Sequence, residues 1–246
     1  MDIKQRLAAH KAEDTHGSSL GPVIHDIVYG AHDGIVTTFA VVAGTVGAEL
    51  PVGIILVLGI ANLLADGFSM GAGAFLSSRS AADQYQRLRK EELQEILDHP
   101  DMEREEIREA YEAKGFSGAR LDDVVATVTS EPDRWADAMM LEEHGLSKPE
   151  ASGAFVHGFA TFMGFVVFGA VPLLPYAFGI VAVEYRFVAA IIAAGFALLL
   201  VGLTRSYVTR QRPLRGIAEI MVIGAASTAI AYGVGAALRS LAEGVM

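Results

Sequence analysis

The sequence predicts an all-α membrane protein with five transmembrane helices and a cytoplasmic helical insert between the second and third. Three observations carry that expectation. Of the 246 residues 52% are hydrophobic and only 20% charged, against about 25% charged in an ordinary soluble domain. The charges are also segregated. Residues 79–150 hold 10 Lys/Arg and 19 Asp/Glu, a net of −9 out of the whole chain's −10. Finally, five stretches reach the roughly 20 mostly apolar residues that a bilayer core requires: 24–48, 51–78, 151–175, 185–207 and 214–238.

Residues 1–21 are polar and of mixed charge, with no apolar stretch behind a basic start. They are expected to form a cytoplasmic N-terminal segment with no cleavable signal. Residues 22–80 then hold the first two spans, joined by the tight turn Ala48-Glu49-Leu50-Pro51 into a helical hairpin. Residues 81–150 form the insert. Its first helix covers 81–98 and breaks at His99-Pro100; Asp101 is the expected cap of a second, running to Lys114 and stopped by Gly115. A third opens at Ser117 or Gly118, and a fourth has Pro132 in its first turn and ends near Gly145. Residues 151–246 hold the last three spans. VPLLPY, with Pro172 and Pro175, should kink or stop the third. The loop RSYVTRQRPLR at 205–215 carries four arginines, and cytoplasmic loops are enriched in Lys and Arg. Counting back from it places the insert and the N-terminus on the same, cytoplasmic, side.

Acids inside spans are rare and by default functional. Asp26 and Asp33 are seven apart and share a face of the first helix. In the second span Asn62, Asp66 and Met70 form a stripe at i, i+4 and i+8. Asp26 and Glu219 also read as interfacial groups, whereas Asp33 and Asp66 sit deep. His32 points about 100° away from Asp33 on an ideal helix and reads as packing or an interhelical hydrogen bond. Gly30/Gly34 and Gly67/Gly71 are small-xxx-small pairs that let helices approach closely.

In the insert, Glu92/Glu95, Glu103/Glu106 and Met140/Glu143 are i, i+3 pairs, with Met139 one turn before Glu143. Such pairs share a helix face. Carboxylates from several helices offer hard oxygen ligands to divalent cations, and thioethers shift preference towards transition metals. The same spacing also describes an ordinary solvated face, and Met139-Met140 beside Trp135 also reads as core.

Other classes fit less well. The chain has no cysteine, which excludes disulfides, thiolate zinc sites and redox pairs. Di-iron carboxylate proteins carry Glu-x-x-His on two helices. Here that spacing occurs once, at Glu13 and His16 in the polar N-terminal segment. No Ser-His-Asp or phosphate-loop pattern appears, so neither an enzyme, a prosthetic group nor a nucleic-acid partner is expected.

The stretches YGAHDGIVTTFAVVAG, NLLADGFSMGAGAFLSSRS, RWADAMMLEEHGL and VPLLPY resemble the vacuolar iron transporter family, over about residues 22–242. The resemblance implies a homodimer in a lipid bilayer that moves Fe2+, with Mn2+ as a further cargo, out of the cytosol against a counterflow of protons. It implies a translocation path lined by Asp33 and Met70, and metal ligands at Glu92, Glu95, Glu103, Glu106, Met139, Met140 and Glu143. One position departs: plant members carry an acid where this chain has Asn62, and Asp66 lies one turn along. The host membrane is expected to be a bacterial inner membrane, or a vacuolar membrane in a eukaryote. Two alternatives stand beside this reading, a membrane-anchored divalent-metal sensor or buffer and a mainly manganese exporter.

Overall fold

A computed structural model describes residues 2–6, 21–149, 153–179, 181–209 and 213–245. Most of the polar N-terminal segment, with Glu13 and His16, and Arg210 and Arg212 of the basic loop lie outside the described residues. The described chain is helical, with no strand among the described residues. Helix α1 is Gly21–Gly47 and α2 is Val52–Asp98. Three shorter helices follow: α3 (Pro100–Ala113), α4 (Ala119–Val128) and α5 (Pro132–Glu142). Then come α6 (Gly153–Gly169), a 3₁₀ turn at Val171–Leu173 and the short α7 (Leu174–Ala177). A second 3₁₀ turn at Val183–Tyr185 leads into α8 (Arg186–Thr209), and α9 is Pro213–Val245. Among the described residues five helical segments are long and apolar enough to cross a membrane: Val23–Gly47, Val52–Asp98, Gly153–Ala177, Val183–Val208 and Leu214–Arg239.

The α1–α2 connection is a closed turn in which the Gly44, Thr45 and Val46 carbonyls accept the amides of Ala48, Leu50 and Glu49 respectively. Glu49 takes a left-handed φ of 55° to close it. The third span breaks at its prolines, since α6 ends at Gly169 and Pro172 lies in the 3₁₀ turn.

Two expectations are corrected. The second span and the first insert helix are one helix of 47 residues. No Gly or Pro occurs between Gly73 and Pro100 to interrupt it, and a change in polarity alone does not end a helix. Residues 52–76 contain one charged residue, Asp66, and 77–98 contain nine, so only the first part has bilayer character. The cap of α3 is His99, with φ −135° and Pro100 as first helical residue. Proline suits that position because its missing N–H would be unpaired there in any case. Asp101 therefore falls inside the first turn, where its charge favours the helix dipole.

The chain divides into two compact units, Met1–Leu76 with Ala154–Met246, and Ser77–Gly153. In the first, α1 packs against α8 and α9 and the 3₁₀ turn at Val171, and its glycines bring α6 to backbone contact. A Cβ on Gly30 would lie 2.2 Å from the Thr161 carbonyl oxygen, and one on Gly34 2.4 Å from that of Phe165. Gly71 of α2 and Gly158 of α6 meet the same way: a Cβ on Gly71 would lie 2.8 Å from the Gly158 carbonyl oxygen, and one on Gly158 would lie 2.6 Å from that of Gly71. Ile35, Val42, Phe165, Ala194 and Leu198 fill the centre. Large apolar side chains such as Val57, Phe68, Ile192 and Val222 are exposed on the outside. A polar-in, apolar-out rule does not operate here; both faces are apolar, as a lipid solvent requires.

The second unit has its own core of Ile96, Ile107, Leu121, Val125, Trp135 and Met139. Ion pairs tie its helices at the rim. Arg89 of α2 reaches Asp137 at 2.6 Å and Asp133 at 2.8 Å on α5, and Arg108 of α3 reaches Asp122 of α4 at 2.8 Å.

The glycine contacts predict a position-specific effect. Gly34→Ala places a methyl group into backbone that cannot retreat and should cost about 1–3 kcal/mol. Gly53→Ala, whose Cβ meets nothing within 4 Å, should be neutral or slightly stabilising. Thermal melts of the two detergent-solubilised variants check this; equal melting temperatures would contradict it.

Candidate metal centre and membrane acids

The acidic centre lies in the second unit and is built from three chain segments. Near its end α2 supplies Glu92 and Glu95, α3 supplies Glu103 and Glu106, and the residues closing α5 supply Glu143 and His144. The i, i+3 spacing on α2 and α3 turns each glutamate pair to one face. The ligand atoms of Glu92, Glu95 and Glu103 all lie within 4.8 Å of one another, and so do those of Glu92, Glu143 and His144. Glu92 belongs to both groups.

Burial divides these acids. Glu92 and Glu103 are only 3% and 5% exposed, whereas Glu95, Glu106 and Glu143 face solvent. Glu92 Oε1 is hydrogen-bonded to His144 Nε2 at 2.7 Å. Its Oε2, and Oε2 of Glu103, are buried without a hydrogen-bond partner among the described residues. An ionised oxygen left so is costly, and the pKa values of these carboxyls are raised accordingly. Burial, then the neighbouring Glu106, Glu92, Glu95 and Glu143, pushes Glu103 up to about 7. Glu92 and Glu106 are raised as well, chiefly by burial, with the adjacent carboxylates adding to it. His144 is raised by its hydrogen bond to Glu92. A divalent cation would satisfy the orphaned oxygens and cancel the mutual repulsion at once, so the donor set fits a hard or borderline metal.

Of the two methionines, Met139 is part of the apolar core, whereas Met140 is buried outside that cluster. His144 is the residue that the sequence reading passed over. It adjoins Glu143 in LEEHGL, which was the available signal, but its partner Glu92 is 52 positions away.

In the first unit Asp33, Asn62, Asp66 and Met70 are all half-buried. Asp33 lies within electrostatic reach of His32 and Asp66. Asn62 Nδ2 and His32 Nε2 are buried with no hydrogen-bond partner among the described residues. Met70 packs against the central core. Asp26 is bonded to His157 Nδ1 of α6 at 2.7 Å, and Glu219 pairs with Arg205 at 3.0 Å and Arg215 at 3.1 Å. His157, 131 residues from Asp26, is a further polar partner, and it has no local sequence signal.

Fold and site together define an all-α, multi-pass membrane protein with a carboxylate cluster of metal-ligating composition. The sequence profile of the VIT family matches residues 24–236. The chain is 36% identical over 220 residues to vacuolar iron transporter 1 of Eucalyptus grandis, covering 89% of this chain and 88% of that one. It is 34% identical over 238 residues to vacuolar iron transporter 2 of Oryza sativa subsp. japonica, covering 97% and 96%. The vacuolar iron transporter of Toxoplasma gondii is 32% identical over 248 residues, covering 97% and 82%. The chain belongs to the VIT family.

The raised acids set the pH response of the metal-free protein. A carboxyl whose folded pKa exceeds its unfolded value of 4.5 binds more protons folded than unfolded between the two values. Stability therefore falls as pH rises from about 4.5 to about 7. His144, also raised, stabilises below its ordinary 6.5 and loses that contribution as pH climbs through its folded value. Both act in one direction. Chelated full-length protein should melt at a higher temperature at pH 5.5 than at pH 7.5, in scans at about those two values. Glu103→Gln should flatten the difference, and a chelated wild type more stable at the higher pH would overturn the assignment.

Proposed function

We propose that the chain is a proton-coupled antiporter that exports ferrous iron, with manganese as a second cargo, from the cytosol across its membrane. The observation that carries the reading is the pair of buried, unpaired carboxylate oxygens of Glu92 and Glu103 within an acidic cluster. Its support from outside is membership of a family whose relatives are named vacuolar iron transporters. In this reading the insert is cytoplasmic and gathers metal through Glu92, Glu95, Glu103, Glu106 and Glu143, with Met140 as the soft neighbour.

A divalent ion left bare in hydrocarbon is prohibitively costly. Asp33 and Asp66 neutralise part of its charge, Asn62 offers an amide oxygen, and Met70 offers a soft contact that discriminates against magnesium and calcium. Carboxylates bind metal only when ionised, so metal entry displaces a proton. Exchange of metal for protons on alternating sides then couples the two flows. The working unit is a homodimer, in the vacuolar membrane of a eukaryote or the inner membrane of a bacterium.

Asp33→Ala should reduce ferrous-iron flux in proteoliposomes to the level of protein-free vesicles, with an unchanged size-exclusion profile in detergent. Flux at the wild-type rate would sink the path assignment. A membrane-anchored sensor or buffer would bind metal yet give no flux with the wild type either, so the same assay separates that alternative.

A further inference from the structure

We infer that His144 is a metal ligand, and that Glu92, Glu143 and His144 form a mixed nitrogen–oxygen subsite beside the all-carboxylate group Glu92–Glu95–Glu103. The inference rests on reading the cluster as a metal centre and adds a chemical asymmetry within it. His144 sits where α5 closes. The Met139 carbonyl receives the amides of Glu143 at 2.9 Å and His144 at 3.5 Å, Met140 receives that of Leu146 at 2.8 Å, and Gly145 turns the chain at φ 63°. This turn fixes the backbone of both ligand-bearing residues.

A simple ion pair does not account for the arrangement. His144 Nε2 occupies only Oε1 of Glu92, and the 3%-exposed Glu92 keeps Oε2 unpaired among the described residues. Glu143 brings a further carboxylate oxygen into the same 4.8 Å group, so three ligand atoms converge on a place where Glu92 Oε2 lacks a partner among the described residues. A divalent cation fits that place. Nε2 gives its lone pair to the metal, the proton it now shares with Glu92 leaves to solvent, and Nδ1 carries the remaining ring proton. An imidazole nitrogen suits iron, manganese, cobalt and zinc, whereas calcium and magnesium take all-oxygen sets. The first subsite therefore selects transition metals, and the second accepts any hard divalent ion. Glu92, common to both, links their occupancy.

The test uses the detergent-solubilised full chain loaded with Mn2+ and examined by pulsed electron paramagnetic resonance for coupling to ¹⁴N. Coupling is expected in the wild type and should vanish in His144→Gln, which keeps an amide able to hydrogen-bond Glu92. In calorimetry the same variant should lose about tenfold or more in Mn2+ affinity at one site, with Ca2+ affinity changed less than about twofold. Tight Mn2+ binding with no nitrogen coupling in the wild type, or coupling that persists in His144→Gln, overturns the role of His144 and leaves the carboxylate centre standing. No binding of either ion by the wild type removes both.

Discussion

The desolvation of two carboxyl groups is the constraint on which the site depends. Glu92 and Glu103 are buried in a unit whose apolar core includes Ile96, Ile107 and Met139, yet each keeps an oxygen with no hydrogen-bond partner among the described residues. Stability alone does not favour such a pair; an apolar residue at either position would pack without the penalty. Burial raises the pKa of both groups, and among the described residues His144 bonds one oxygen of Glu92. Three positive side chains of the unit are engaged elsewhere: Arg89 by Asp133 and Asp137, Arg108 by Asp122, and Lys114 by Glu142. These cations are thus spent on other acids of the same unit, which leaves the cluster for a mobile one.

The membrane unit meets a different constraint with small residues. Lipid supplies no hydrophobic force to press helices together, so close backbone packing must do it. Gly30 and Gly34 of α1 and Gly71 of α2 each let α6 come within backbone contact. The polar groups Asp33, Asn62 and Asp66 lie on these same two helices and are half-buried. The Asp26–His157 hydrogen bond joins α1 to α6 near the end of that glycine seam. Packing and polar placement are thus set by the same few turns of helix.

The segments that cross the membrane were legible because hydropathy is a property of each segment alone, and the proline break after Gly169 and the Pro132 start follow from one residue's geometry. The glutamate pairs were legible as faces, since i, i+3 spacing is local. What joins the faces was not. Glu92 meets Glu103 and His144 through tertiary packing, and the 52-residue separation of Glu92 and His144 leaves no periodic trace. The continuity of α2 was missed because SSRSAAD marks a change of solvent, which reads as a boundary, although each of its residues is compatible with helix. Asp101 looked like a cap by residue type, but the proline before it had already fixed where the helix begins.

The central claim is that the buried acids hold protons which a metal displaces. Calorimetric titration of the full-length protein with Mn2+ in buffers of different ionisation enthalpy measures that directly, as protons released per metal bound. Glu103, with its folded pKa near 7, should make the release clearly measurable at pH 6.5 and progressively smaller as the pH is raised well above that value, in runs at about one-unit steps. Metal binding with no proton release at pH 6.5 would contradict the account.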